Sequence, residues 1–460
     1  MANSPAPLEP AGDVKSSDVR LVVASSVIGT TVEWYDFFLY GTAAGIVFNK
    51  LYFPSDDPLV GTLLAFATFA LGFVARPIGG LIFGHIGDRV GRKKTLVATM
   101  LIMGVATCAI GLVPTFETIG LTAPILLVLL RFAQGIAIGG EWGGAVLMAV
   151  EYAPAGKRGL YGSFPQVGLA LGLMLGTGVF AALNVAMSDA AFLAWGWRIA
   201  FLLSAVLVLV GMFIRLKVME TPAFRKLEEH EQKATVPVVE LAKNALSRRH
   251  VLLGMGSRLT EGIAFNAWAV FAISYGSETL GMSQQPLLVA VMIAAAVMIF
   301  FIPVFGRLSD RFGRRKTFSV GAVLTGLLAY PAFAALGTGN QLLITIALVA
   351  VLGIAYPVMY GPQAAFYAEM FPTSVRCTGI SFVYQFSGIF ASGCTPLILA
   401  FLVGTSGGGY GLVLLYLLGA TVLSVLCALA IRQRNLVPDP EGDTEDVTAT
   451  AVSSQSRAAV

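Results

Sequence analysis

From about residue 20 to residue 432 the chain alternates long apolar runs with short polar breaks. A helix needs about 20 apolar residues to cross a bilayer core. Runs of that order fall near 20–46, 60–85, 95–114, 122–150, 160–186 and 196–216, and again near 251–278, 286–306, 317–337, 341–369, 377–403 and 410–431. The rhythm predicts an all-α membrane protein with twelve transmembrane helices. Six stand on each side of the polar segment 217–250, which contains FRKLEEHEQK and SRRH and reads as a cytoplasmic linker. Residues 1–19 are polar without an apolar signal core, so a cytoplasmic N-terminal tail and no cleaved signal peptide are expected. Residues 433–460 are acidic, small and polar, the composition of a disordered cytoplasmic tail.

Charge placement orients these spans. Arg89, Arg92, Lys93 and Lys94, then Lys157 and Arg158, the linker, Arg311 to Lys316, Arg376 and finally Arg432 and Arg434 occupy every second loop. The alternate loops hold Asp56, Asp57, Glu117, Asp189 and Glu278, with Lys50 the main basic exception. Basic loops stay on the cytoplasmic side, so both termini are expected there.

The pattern also repeats. GHIGDRVGRKK from Gly84 returns as GRLSDRFGRRK from Gly306, so that Asp88 maps on Asp310, Arg89 on Arg311 and Arg92 on Arg314. A second echo pairs Glu151, Pro154 and Arg158 with Glu369, Pro372 and Arg376. Such self-similarity predicts two parallel six-helix bundles, 20–216 and 251–432, with a solute cleft between them. In the basic motif, Gly permits close helix approach and Asp can cap a helix or pair with Arg. Gly84, Asp88, Arg89, Arg92, Asp310, Arg311 and Arg314, together with Glu151, Arg158, Glu369 and Arg376, are therefore assigned to a gate, with the motif itself expected in the loops joining helices two to three and eight to nine.

Composition agrees and excludes other classes. Residues of the AVILMFWYC set make up 56% and charged residues 12% of the 460, and mean hydropathy is +0.79; soluble domains carry about 25% charged residues. The +4 net charge lies in loops and implies no nucleic-acid partner. The four cysteines stand singly, the three histidines lie at span ends or in the linker, and no Walker A sequence is present, so no metal, cofactor or ATP site is expected and no enzyme activity.

Charges inside spans are the candidate chemistry, since each costs roughly 3 kcal/mol unless paired or hydrated. Glu33, Asp36 and Tyr40 share one face of the first helix, with Glu33 roughly 16 Å in from Val22 at ~1.5 Å per residue. Adjacent desolvated carboxylates suit proton uptake and release, and either could be the carrier. Arg76, Arg131 and Arg258 offer bidentate forks to a substrate carboxylate. The competing reading is internal neutralisation, of Arg76 and Arg131 by Glu33 and Asp36, and of Arg258 by Glu261. Gln134, Gln166, Asn266, Gln363 and Gln385 are polar mid-span groups for substrate hydrogen bonds, and Tyr360 and Tyr384 can line a cavity. Glycine faces, Gly135, Gly139, Gly140, Gly143 and Gly144 on helix four and Gly168, Gly172, Gly176 and Gly178 on helix five, read as tight helix packing.

At these residues the sequence resembles the major facilitator superfamily over nearly its whole length. EWYDFFLYG, RPIGG, RFAQGIAIGGEWGG with VEYAP, and GSFPQVGLALG resemble its metabolite:proton symporter branch, which holds shikimate, 2-oxoglutarate, citrate and proline/betaine carriers. The first half, including WGWRIAF, is most similar to shikimate-type organic-acid transporters. The resemblance implies Arg131 and Gln134 near the coupling site, Asp88 and Arg92 in the latch, and Glu33, Asp36 and Arg76 in the central cavity. Cys377 stands where relatives often have an aromatic residue, and the seventh helix, GSRLTEGIAFNAWAVF, matches no substrate subgroup. The expected protein is a monomeric, multi-pass plasma-membrane carrier importing a small organic acid such as shikimate with a proton. Its rival is a proton-linked importer of proline or betaine osmolytes.

Overall fold

A computed structural model describes residues 16–90, 92–139, 146, 149–150, 153–154, 156–219, 245–371 and 376–431; the side chains of 16–23, 25, 84–90, 92–96, 215, 217–219 and 245 are outside that description. Among the described residues the regular structure is helical throughout. The first half contains α1 (Ser16–Ala43, continued by a π-turn Ala44–Phe48), α2 (Pro58–Val90), α3 (Arg92–Leu112), α4 (Thr122–Ile138), α5 (Arg158–Ala186) and α6 (Trp197–Met219). The second contains α7 (Ala245–Ser257 and Leu259–Asn266, interrupted at Arg258), α8 (Gln284–Phe312) and α9 (Arg314–Gly337). It is completed by α10 (Gln341–Leu348 and Tyr356–Ala368, joined by a π-turn Val349–Ala355), α11 (Arg376–Gly388 and Thr395–Thr405) and α12 (Gly411–Ala430). Among the described residues eight helices are long and apolar enough to cross a membrane, and Val97–Leu112 and Thr122–Ile138 are shorter apolar helices.

The packing repeats with the sequence. In the first half α1 packs on α5 and α6, α2 on α4, and α3 on α4 and α6. In the second, six helices on, α7 packs on α11 and α12, α8 on α10, and α9 on α10 and α12. The halves meet through α5 against α8 and α2 against α11, which are equivalent under the same shift.

Glycines set how closely these helices approach. A Cβ at Gly79 would strike the Ile136 carbonyl, one at Gly135 the Gly72 carbonyl and one at Gly139 the Arg76 carbonyl, so α2 and α4 touch backbone to backbone. Gly168 and Gly172 hold α5 against Thr30 and Trp34 of α1 in the same way, while Gly178 faces Met292 of α8. Gly140, Gly143 and Gly144 lie outside the described residues.

The basic motif departs from the loop expected of it. Helix α8 runs through Gly306, Ser309 and Asp310 to Phe312, and the turn is a single residue, Gly313, at φ 92°. That conformation is open to glycine and strained for other residues. No helix breaker separates Gly306 from Gly313, and the Asp310–Arg314 pair, four residues apart, bridges the turn. The first copy follows suit: α2 extends to Val90 and α3 begins at Arg92.

Candidate functional site

Where α1, α2, α4 and α11 converge, Glu33, Trp34, Phe37, Arg76, Ile138, Tyr384 and Gln385 line a closed cavity. Every one of them is at most 8% exposed. The side chains leave room for about one water molecule, so a metabolite enters only when the helices move apart.

Arg76 supplies the cavity's positive charge. It stands on α2, and its guanidinium carbon lies 4.3 Å from the centre of the Phe73 ring, 4.6 Å from Phe37 and 5.6 Å from Trp34. Its Nε donates no hydrogen bond to a described residue. A buried guanidinium cradled by ring faces, with a donor left over by the described residues, is suited to receive an anion.

Asp36 faces away from the cavity, into the first half. The turn that separates it from Glu33 points its fully buried carboxylate between α3 and α6, where it accepts hydrogen bonds from Ser204 Oγ and from Thr107 Oγ1 at 3.0 Å. Thr107 Oγ1 in turn accepts from Gln134 Nε2 at 2.6 Å, and Gln134 Oε1 accepts from Arg131 Nη1 at 3.1 Å. Arg131 is sandwiched among Tyr40 (4.2 Å), Phe37 (4.8 Å) and Phe69 (5.1 Å), and its Nε and Nη2 find no hydrogen-bond acceptor among the described residues. Thr107 also has the Met103 carbonyl at 2.9 Å. Its one hydroxyl proton therefore has two destinations. With Asp36 ionised, Thr107 donates to the carboxylate; with Asp36 protonated, Asp36 donates to Thr107 and Thr107 turns to Met103. Both protonation states keep a satisfied network.

Arg258 is already neutralised. Its Nε lies 3.0 Å from Glu261 Oε2, and its Nη1 donates to the Tyr384 carbonyl at 3.0 Å and to Ser387 Oγ at 3.1 Å. Glu261 also accepts from Tyr356 Oη at 2.8 Å and Gln363 Nε2 at 3.4 Å. Of the two readings of Arg258, the geometry takes internal pairing. Tyr384, whose ring centre is 3.7 Å from the Arg258 guanidinium, links this cluster to the cavity.

The amino-terminal part, residues 21–257, matches the family described as Sugar (and other) transporter, and residues 289–456 match the Major Facilitator Superfamily. The chain is 42% identical to the Inner membrane metabolite transport protein YhjE of Escherichia coli (strain K12), covering 90% of this chain and 95% of that protein. It is 40% identical to the Shikimate transporter of the same organism, over 92% and 96% of the two. The Proline/betaine transporter of that strain is 36% identical over 85% of this chain and 79% of its own. The fold superposes on a D-xylose-proton symporter with a TM-score of 0.68 at 18% identity, over 92% of this chain and 99% of that one.

The chain belongs to the major facilitator superfamily. It is a multi-pass membrane transporter of the metabolite:proton symporter family, and not an enzyme.

In this major facilitator protein a pair of glutamines binds the two halves to each other. Gln166 on α5 donates to the Tyr360 carbonyl of α10 at 2.6 Å, and Gln385 on α11 donates to the Gly139 carbonyl at the end of α4 at 3.0 Å. These bonds are repeat-related: Gln166 and Gln385 are 219 residues apart, Gly139 and Tyr360 221. At the motif end, Asp310 accepts from the backbone N–H of Gly159 (2.8 Å) and Leu160 (3.1 Å) at the start of α5, pairs with Arg314, and Arg314 Nε reaches Glu369 Oε1 at 3.1 Å. A carboxylate on a helix N-terminus is favoured by the exposed N–H groups and the dipole. At the opposite end Lys50, the odd basic residue, pairs with Glu278 at 3.1 Å. His250, at the start of α7, holds the Met370 carbonyl at 2.7 Å, and burial keeps its imidazole below the usual pKa.

The remaining sites divide as follows. Glu33, Arg76, Tyr384 and Gln385 line the cavity; Arg131, Gln134 and Tyr40, whose Oη donates to Thr68 Oγ1 at 2.8 Å, build the network behind it. Asn266 is turned to its own helix, donating to the Gly262 carbonyl at 2.9 Å, and Tyr360 stacks on Tyr356. Neither reaches the cavity, nor do Gln166 and Gln363, whose amides are committed elsewhere. Arg311 is exposed, Arg158 opens α5, and Arg376 donates to the Phe371 carbonyl at 3.2 Å. Glu151 and the side chains of Gly84, Asp88, Arg89 and Arg92 lie outside the described residues. Thr107, Ser204 and Phe37 escaped the sequence reading; a lone hydroxyl in an otherwise apolar span, as in VATCAIG and LLSAVL, was the available signal.

Asp310→Asn is expected to weaken the motif-end latch. Losing a carboxylate shared by two N–H groups and a guanidinium costs about 2–3 kcal/mol, roughly a 30- to 150-fold change in the closed population. A Ser163→Cys reporter, buried beneath Gly306 in the Cys377→Ser background, should react with a soluble thiol reagent correspondingly faster in the variant.

Proposed function

We propose that this protein is a proton-coupled symporter importing a small organic acid of the shikimate type across the plasma membrane. The reading takes twelve spans with both termini cytoplasmic, arranged as bundles 20–216 and 251–432 around a 217–250 linker and rocking about the central cavity; the repeated packing supports it. The observation that carries it is Arg76: a buried cation with aromatic faces and a donor unused among the described residues, at the closed centre of the transporter. A carboxylate is its natural complement. Asp36 takes the proton, because its Thr107–Met103 partners accommodate either protonation state. The 40% identity to a Shikimate transporter supports the solute class.

Glu33 favours a second reading. It places a carboxylate in the same cavity as Arg76, beside Trp34 and Tyr384, and a zwitterion such as proline or betaine presents both charges to such a lining. Uptake into proteoliposomes with shikimate, a 2-oxo acid, proline and glycine betaine, at an inward proton gradient and without one, separates the two. Gradient-dependent accumulation of the acids alone supports the first reading, and of the zwitterions alone the second. Accumulation unaffected by a protonophore overturns proton coupling for both.

A further inference from the structure

We propose that Phe37 is the positioning residue that makes solute binding at Arg76 and proton binding at Asp36 depend on each other. The inference rests on the proton-coupled reading above. Phe37 follows Asp36 directly, yet its ring lies against the cavity, 2% exposed. Two guanidinium groups share that ring: Arg76 from the cavity side at 4.6 Å and Arg131 from the Asp36 network at 4.8 Å. Phe73 and Trp34 meet it edge to face, at 4.9 and 5.4 Å, and fix its plane.

Like charges held against one buried hydrocarbon ring interact far more strongly than they would across solvent. The attraction each feels for the ring's π-system holds them there against that repulsion. An anion arriving at Arg76 cancels one of the two charges. The positive field on the Asp36–Thr107–Gln134–Arg131 chain falls, and Asp36 holds a proton more firmly. If the anion also draws Arg76 off the ring, the ring is left to Arg131, which turns further from Asp36; the sign is the same. By reciprocity, a proton on Asp36 tightens the anion at Arg76 by the same factor.

Among the described residues the ionisable groups facing Asp36 are few. Glu33 and Tyr35 share its helix, Cys108 comes from α3 and Arg131 from α4, with Arg76 of α2 beyond the ring. Helix α6 presents Ser204. Helix α5 has no ionisable side chain between Tyr161 and Ala186, and the 267–271 segment following α7 has none. Among the described residues Phe37 is thus the one ring that both the cavity cation and the arginine of the buried network touch.

The test uses the full-length protein in proteoliposomes, with radiolabelled shikimate and glycine betaine as probes and Phe37→Leu and Phe37→Tyr as variants. In the wild type, the apparent affinity for the accumulated probe should rise about tenfold from pH 8 to pH 6. In Phe37→Leu solute affinity should fall at both pH values, because the ring also lines the cavity, while the ratio of affinities between pH 6 and pH 8 should shrink to less than about twofold and gradient-driven accumulation should collapse to equilibration. Phe37→Tyr, which keeps the ring, should behave as wild type. If Phe37→Leu fails in exchange, Phe37→Met, of similar volume without a ring, carries the same comparison. A ringless variant that keeps both exchange and the wild-type pH dependence overturns the role of Phe37 and leaves the symport reading standing. A wild type that accumulates neither probe in response to the gradient overturns the reading itself.

Discussion

Uptake by Arg76→Ala should fall to the level of empty vesicles at solute concentrations that support wild-type transport. Among the cavity-lining residues Arg76 is the one cation. The alternative cations are engaged elsewhere: Arg258 with Glu261, and Arg131 with Gln134 and its ring cage. Removing one partner of a buried charge contact costs roughly 2–5 kcal/mol, an affinity loss of about 30-fold or more. Lysine at this position should recover part of the affinity, since it restores the charge without the planar fork. The variant should fold, because the side chain contributes ring contacts to a cavity that water can fill when the arginine is gone. Equilibrium binding measured beside uptake checks the assignment; wild-type affinity in Arg76→Ala would sink it.

Asp36→Asn should separate movement of solute from its accumulation. The amide matches the carboxylate in shape and can still meet Thr107 and Ser204, so the first half should pack normally. It does not titrate, so the variant resembles the protonated carrier locked in one state. Counterflow should persist near the wild-type rate, and concentration against a gradient should drop by an order of magnitude or more, on the order of the coupling free energies of linked sites. Glu33→Gln supplies the contrast. Glu33 lines the cavity, so its loss should alter solute affinity while pH-driven accumulation survives. The reverse outcome, with Glu33→Gln uncoupled and Asp36→Asn intact, would move the proton to Glu33.

The helices were legible in the sequence because each apolar run had to satisfy its own backbone in lipid. α5, expected near 160–186, spans Arg158–Ala186, and α9, expected near 317–337, spans Arg314–Gly337. The basic motif was legible as a repeat and misleading as a loop: charged residues near Asp310 looked like a solvent-facing turn, whereas α8 stays helical through Phe312 and Gly313 alone reverses the chain. Inside the membrane the sequence could show which residues were expensive, but not which way each faced. Glu33 and Asp36, one turn apart, looked equivalent, and the structure sends one to the cavity and the other to Thr107 and Ser204. Glutamines at 166 and 385 looked like solute contacts, and their amides hold opposite halves together. What decided these cases was the neighbour across a helix interface, and linear spacing carries no record of it.

The glutamine clasp has a consequence for how such carriers diversify. Both acceptors are main-chain oxygens, which every residue possesses, so drift at position 360 can alter the side chain without removing the acceptor, whereas position 139 is held to glycine by its backbone contact with Arg76. Alignment of the bundles in the shut state thereby rests on two glutamine side chains and on acceptor atoms that mutation cannot delete. The walls of the chamber other than Gln385 are then free to be rewritten for new cargo, with the machinery of closure inherited unchanged.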